Sequence, residues 1–284
     1  MIPDVRSRIE RSVKNLPTLP TIYSSLQEAM TNPRVTTDDI AKIISSDQAS
    51  AFKVLRVVNS PFYGFSGKIN TISSAILHLG FNEVRNIVLA LSVINMFKTS
   101  NIILDFRPVD FWSHSIAVGV ASRLIGSSIG VANLENYFLA GILHDVGKLL
   151  FFDLAENEYE KVLIKVEENK CTIAEAEKEI LGLDHSSAGR ILADRWKLPP
   201  SIKSVIENHH QGISSGKDEQ IIASVHIADI FVRMLELGYA GDDLVPVPNR
   251  NVWSILNLPE DAFSRIVDML LQDFQTTADL VLKN

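Results

Sequence analysis

The stretch LAGILHDVGKLLFF, residues 139 to 152, sets His144 and Asp145 side by side in a run that is otherwise almost wholly apolar. A carboxylate without a partner is costly to desolvate in such a setting, and a divalent metal is a partner that an imidazole and a carboxylate can share. Companions recur along the chain. His114 follows Phe111 and Trp112, His185 follows Asp184, His209 and His210 end a predicted helix, and Asp229 stands four residues before Arg233. Neutral imidazoles with an ionised carboxylate suit an ion of intermediate hardness such as iron, manganese or zinc. Each residue alone also has an ordinary reading. His78 and His226 fit hydrogen-bonded core or partly exposed side chains, and Asp229 with Arg233 fits an i,i+4 surface pair.

Elements that must position these groups read as helices throughout, because apolar residues recur at spacings of three and four between short breaks of Gly, Pro, Asn or Ser. Thr36 and Asp39 form a capping-box pattern ahead of a helical run that continues to Val58 and ends at Pro61 and Gly64. TISSAILHLG predicts a helix stopped by Gly80, and Asn82 is the expected cap of EVRNIVLALSVINMF. Asp110 is the expected cap of FWSHSIAVGVASRLIG, and 139–152 is expected as one helix with His144 and Asp145 at its middle. TIAEAEKEILG, SSAGRILADRW, SIKSVIENHH and EQIIASVHIADIFVRMLELG follow, with Asp184 as a cap before His185. Residues 241–250, with two prolines, predict a loop before a short terminal helix from about Pro259. The fold class is all-α. The polar KTSN and Pro108 place a boundary that divides the chain into 1–105, 106–240 and a C-terminal extension, 241–284.

Composition narrows the function classes. At 284 residues and 46% hydrophobic content the chain can bury a sizeable core. A net charge of −7 with no lysine or arginine block argues against a general nucleic-acid binder and leaves a phosphate-bearing small molecule open. Cys171 is the single cysteine, which fits a reducing compartment. The polar N-terminus and the shortness of the apolar runs give no leader or membrane span, so a cytoplasmic address is expected.

The ordered set WSHS, LHDVGK, DHSS, NHH and HIADIF resembles the HD superfamily of metal-dependent phosphohydrolases. On that resemblance His114, His144, Asp145 and Asp229 match the basic four-residue metal set. His185, His209 and His210 match the added histidines of members holding two ions, and Lys148 matches the lysine of the HDxGK variant. In the N-terminal half, LPTLPTIYSSLQEAM, DQASAFKVLRVVNSPFYG and TISSAILHLGFNEVRNIVLA extend the resemblance to the HDOD family, a branch related to HD-GYP signalling proteins. This implies an N-terminal helical bundle packed with a C-terminal HD-type bundle, in a bacterial signalling or regulatory protein. Many HDOD members have lost the HD ligands, whereas this chain keeps the whole set. HHQGISSGKDEQ lacks the DGxGYP segment, which argues against a cyclic dinucleotide substrate of the HD-GYP type.

The resulting expectation is one or two divalent ions, iron or manganese first, with zinc, nickel and magnesium as alternatives. Asp145 would bridge two ions, with His114, His144 and Asp229 completing one site and His185, His209 and His210 the other. The chemistry would be phosphoester hydrolysis, with Asp145 and Lys148 as catalytic candidates. Lys148 has two roles open to it, contact with a phosphate oxygen or partnership with a carboxylate. The rival function is a signalling module that binds a protein partner and keeps a structural or vestigial metal. Phe111 and Trp112 are read as packing, and NSPFYGF as either a turn or a partner patch.

Overall fold

The computed structural model describes residues 7–8, 18–97, 102–104 and 106–282, and every regular element in them longer than a single bridge is helical. Five helices form the first bundle: α1 (Thr21–Ala29), α2 (Thr37–Ser45), α3 (Gln48–Val58), α4 (Ile72–Leu79) and α5 (Phe81–Phe97). Its helix starts follow local chemistry. The expected capping box is formed, since Asp39 N–H donates to Thr36 Oγ1 at 3.2 Å and Thr36 N–H donates to Asp39 Oδ2 at 3.0 Å. The helical run to Val58 is interrupted, because Asp47 takes the N–H of Ala49 at 3.1 Å and starts α3 as a separate helix. Asn82 is not a cap. Gly80, at φ 100°, turns the chain directly into α5, so Asn82 falls inside the first turn.

The second bundle contains α6 (Pro108–Ser128), α7 (Leu134–Leu143), α8 (Lys148–Leu154), α9 (Glu156–Asn169), α10 (Ile173–Leu181), α11 (His185–Arg195), α12 (Pro200–Asn208) and α13 (Glu219–Met234). After it come α14 (Val252–Leu256) and α15 (Ala262–Leu282). α6 is buried on nearly every face and forms the axis on which α7, α13 and α15 pack. Its N-cap position is Arg107 and Pro108 opens it, while Asp110, expected as the cap, sits one turn in and takes the Arg107 guanidinium. The stretch 139–152 is two helices rather than one. The amides of Val146, Lys148, Leu149 and Leu150 bond three residues back instead of four, so the chain tightens into a turn between α7 and α8. α9 and α14 went unforeseen, and the terminal helix is long, burying one face on α6 and α3.

The two bundles share one apolar core running from Leu19 to Val281. They also share a polar tie. Phe62 and Tyr63, in the short 3-10 turn Pro61–Tyr63, meet Arg123 of α6 and Glu135 of α7. The Tyr63 hydroxyl donates to Glu135 Oε2 at 2.6 Å, Arg123 Nε donates to Glu135 Oε1 at 2.9 Å, and the guanidinium lies over the Phe62 ring at 4.3 Å. NSPFYGF is therefore a turn in which Phe62 and Tyr63 face inward to this pair of helices, while Phe65 packs on Tyr63 and His78. Among the described residues no single helix is long and apolar enough to cross a membrane.

Candidate metal centre

Five elements bring the seven candidate ligands together. His114 comes from α6, His144 and Asp145 from the turn after α7, His185 from the first position of α11, His209 and His210 from the end of α12, and Asp229 from α13. Two close backbone contacts set this meeting point. Gly119 and Gly141 let α6 and α7 approach until a Cβ on Gly141 would lie 2.6 Å from Gly119 Cα, which draws His114 towards His144. A Cβ on Gly147 would stand 1.9 Å from the His185 carbonyl oxygen, so the His144–Asp145 turn rests directly on the start of α11. The interruption of the expected 139–152 helix is thus what aims Asp145 at His185.

Asp145 is the hub. Its Oδ2 lies 3.3 Å from His144 Nε2, and its Oδ1 lies 3.0 Å from His185 Nε2 and 3.5 Å from His209 Nε2. Asp229 Oδ1 lies 3.0 Å from His114 Nε2 and 3.9 Å from His144 Nε2, and His210 Nε2 is 2.8 Å from His185 Nε2. Ligand atoms about 2.1 Å from one ion at right or tetrahedral angles are separated by about 3.0–3.5 Å, the range most of these pairs occupy. The side chains fall into three groups whose ligand atoms lie within 4.8 Å of one another: His114, His144 and Asp229; His144, Asp145 and His209; and His185, His209 and His210.

The donor chemistry fits a divalent ion. His144 Nδ1 faces the Gly141 carbonyl at 2.7 Å and His209 Nδ1 faces the Ile206 carbonyl at 3.0 Å. A carbonyl only accepts, so Nδ1 carries the proton in both rings and Nε2 presents a lone pair to the cluster. The Nε2 atoms of His114, His144 and His209, and Oδ1 of Asp145, are buried without a hydrogen-bond partner. Four such atoms converging in one place are unusual in a folded interior unless something else satisfies them.

Protonation favours the same occupant. Burial pushes the Asp145 carboxyl up, but His144, Lys148 and His185 outweigh it and hold it well below the ordinary carboxylate range. Asp229 behaves alike, with Arg233 and His114 overcoming burial. Burial lowers His114, takes His209 down to about 4 and, with His209 adjacent, holds His210 well below the usual imidazole range. His185 differs. Burial works against its cation, yet Glu177 and Asp145 raise it to about 9.

Outer contacts hold the ligands. Glu177 Oε2 accepts from the backbone N–H of His185 at 2.7 Å and from its Nδ1 at 2.6 Å, and Glu177 Oε1 takes the Tyr159 hydroxyl at 3.1 Å. Lys148 is fully buried, with Nζ on Asp145 Oδ2 and on the Ala240 carbonyl at 2.7 Å. Of its two foreseen roles, partnership with a carboxylate is the one whose contacts are formed. Asp229 and Arg233 do pair four residues apart, at 3.1 and 3.2 Å, but in the interior rather than on the surface. His226 takes the ordinary reading: its Nδ1 bonds the His209 carbonyl at 2.8 Å and its Nε2 accepts the Asn249 N–H at 3.1 Å. Glu177 escaped sequence reasoning because AEAEKEI reads as a solvated acidic face. Its signal was position, four residues from both Ile173 and Leu181 on the buried stripe of α10.

The profile of the HDOD domain matches residues 16–212. This chain belongs to the HDOD family. The HDOD match includes His114, His144, Asp145, His185, His209 and His210, whereas Asp229 lies beyond it. Among solved structures, an HDOD domain protein of unknown function from Geobacter sulfurreducens is 28% identical, with a TM-score of 0.78 over 98% of each chain. A candidate phosphohydrolase from Shewanella amazonensis SB2B shares the fold at 22% identity, with a TM-score of 0.71 over 96% of this chain and 98% of that one. A candidate signal transduction protein from Marinobacter aquaeolei VT8 shares it at 19% identity and a TM-score of 0.75, covering 96% and 61%. An uncharacterized protein of Treponema pallidum (strain Nichols) is 25% identical over 235 residues, 79% of this chain, and the chain spans 43% of that relative's length.

Access to the cluster is narrow. Six of the seven side chains are buried, and only His210 is partly exposed. A cavity of about 270 Å³, walled by Phe106, Tyr239, Asp242 and Asp243 among others, is lined by none of the seven.

Proposed function

We propose that this HDOD protein is a metal-dependent phosphohydrolase of a bacterial signalling or regulatory system, acting on a nucleotide or another phosphoester. The observation that carries the reading is the convergence of buried, partnerless His114 Nε2, His144 Nε2, His209 Nε2 and Asp145 Oδ1. His114, His144, Asp145 and Asp229 would hold one ion, and His185, His209 and His210 a second, with Asp145 shared. A bound divalent ion supplies Lewis acidity for a phosphoryl oxygen and lowers the pKa of water. The chain's own part is to keep both carboxylates ionised, keep His114 and His209 neutral, and fix the His144 and His209 rings by their Nδ1 contacts. His210, the partly exposed member of the set, marks the side from which a phosphoester approaches. The preferred ions are iron and manganese, in keeping with a mixed imidazole and carboxylate set.

A second reading is favoured by Lys148. Its ammonium is fully buried on Asp145 and Ala240, as suits a metal that braces a non-catalytic module for a protein partner. Element-resolved metal content of protein purified without added metal or a metal-binding tag, followed by a phosphoester screen with the matching ion, separates the two. Hydrolysis requires one or two equivalents of metal and turnover that disappears in folded Asp145→Asn. Metal without turnover leaves the structural role, and no metal after anaerobic reconstitution sinks the hydrolase and leaves a signalling module whose metal site is vestigial.

A further inference from the structure

The segment after α13 lies beyond the HDOD match, yet it touches the supports of the cluster repeatedly. Ala240 offers its carbonyl to Lys148, the partner of Asp145. Asp242, buried, accepts on Oδ1 from Arg233 Nη1 at 2.9 Å and from the Leu244 N–H at 3.0 Å, and on Oδ2 from the Ile173 N–H at 2.9 Å. Arg233 in turn holds Asp229, and Ile173 opens α10, the helix that carries Glu177 to His185. One carboxylate therefore braces supports of both halves of the cluster.

We infer that Asp242 is a positioning residue of the metal centre, fixing Asp229 through Arg233 and His185 through the start of α10. This rests on the metal-binding part of the proposed function and extends it to a segment outside the family match. The Arg233 fork needs both carboxylates to lie in a single orientation. In Asp242→Asn the guanidinium is left with Asp229 as its one paired carboxylate and competes more strongly for its oxygens, at the expense of an ion. The contact with Ile173 acts on geometry alone, since that amide stands at a helix start, has no partner within the helix and is satisfied by Asp242.

The test is Mn²⁺ titration of the full chain, following free Mn²⁺ by its paramagnetic resonance, with the melting temperature of each metal-free variant measured alongside. Asp242→Asn preserves shape and is expected to fold and to bind Mn²⁺ about tenfold or more weakly. Asp243→Asn, altering the exposed neighbour, is expected to bind as the wild type does. If Asp242→Asn fails to fold, Arg233→Lys makes the same test, because it keeps a cation beside Asp229 and loses the fork that reaches Asp242. Folded variants with wild-type affinity overturn the inference, as does an equal loss in Asp243→Asn or a loss that merely follows lost helicity. A wild type that binds neither Mn²⁺ nor, in an anaerobic titration, Fe²⁺ overturns the metal reading itself, whereas wild-type binding with an unaffected Asp242→Asn overturns this inference alone.

Discussion

Glu177 grips His185 twice through a single oxygen, taking its backbone N–H at 2.7 Å and its ring Nδ1–H at 2.6 Å. The ring is thereby oriented and its Nε2 left facing Asp145 Oδ1 at 3.0 Å. Glu177→Gln can still accept one of these bonds but cannot hold the imidazole with a full charge. The variant is expected to remain helical and to lose about 10- to 100-fold in affinity for the ion held by His185, His209 and His210. Calorimetric metal titration measures it, and unchanged affinity would remove Glu177 from the centre.

Gly147→Ala tests the seating of the ligand turn on α11. The added methyl would meet the His185 carbonyl and the Gly189 amide, both backbone atoms that cannot swing aside. A loss of about 3 kcal/mol or more is expected in urea unfolding, together with weakened metal binding. Wild-type stability would mean that the turn and α11 stand further apart than described.

Removing metal should lower thermal stability. An ion bound only by the folded chain adds about 2.7 kcal/mol at a hundredfold excess over its dissociation constant. Melting is therefore expected to shift upward with Mn²⁺ and downward with chelator in the wild type, and to stay fixed in Asp145→Asn. A shift that persists in that variant would place the stabilising ion elsewhere.

The start of α11 also sets an acid limit. Asp184 caps the helix, its Oδ1 accepting from the Ser187 N–H at 2.9 Å and its Oδ2 lying 3.0 Å from Lys178 Nζ. Burial pushes this carboxyl up, but Ser187 and Lys178 outweigh it and bring it down from 3.8 to about 2. Because the folded value is the lower one, its contribution is complete above pH 3.8 and is lost as pH falls through 2. It amounts to about 1–2 kcal/mol. Asparagine caps equally well, so Asp184→Asn is expected to flatten this part of the acid-unfolding curve while keeping the helix. An unchanged curve would refute the assignment.

The tie between the bundles carries a charge and should be sensitive to its loss. Tyr63→Phe removes one hydrogen bond to a carboxylate and is expected to cost about 1.5–3 kcal/mol. Glu135→Ala leaves the largely buried Arg123 without its carboxylate and is expected to cost about 3–5 kcal/mol. Equilibrium unfolding of the two variants would reveal a surface-like tie if both losses fell under about 0.5 kcal/mol.

The residues of the candidate cluster were legible because histidine and aspartate in apolar helices are conspicuous, and the all-helical class was legible from the spacing of apolar residues. What escaped was set by tertiary contact. The break at 144–147 follows from Gly147 lying on α11, a contact between distant segments that leaves no local trace beyond one glycine. Asp110 and Asn82 have the chemistry of caps, but Pro108 and Gly80 start their helices earlier. Asp242 sits in a loop, GDDL, with nothing to distinguish it from the exposed Asp243. The terminal helix looked short because one face of α15 is polar, and its length is supported by docking on α6 and α3.

The distribution of ligands over α6, α7, α11, α12 and α13 also bears on how the chain reaches its native state. His114 and Asp229 lie at opposite ends of the second bundle's sequence, so their contact is one of high sequence separation, a kind expected to form slowly. In the unfolded chain the adjacent pairs His144–Asp145, Asp184–His185 and His209–His210 would offer an ion no more than a two-residue foothold. Capture of an ion by the proposed centre would therefore be a late event in assembly, and its release on heating should coincide with the parting of α6 from α13 rather than with fraying at either end of the protein.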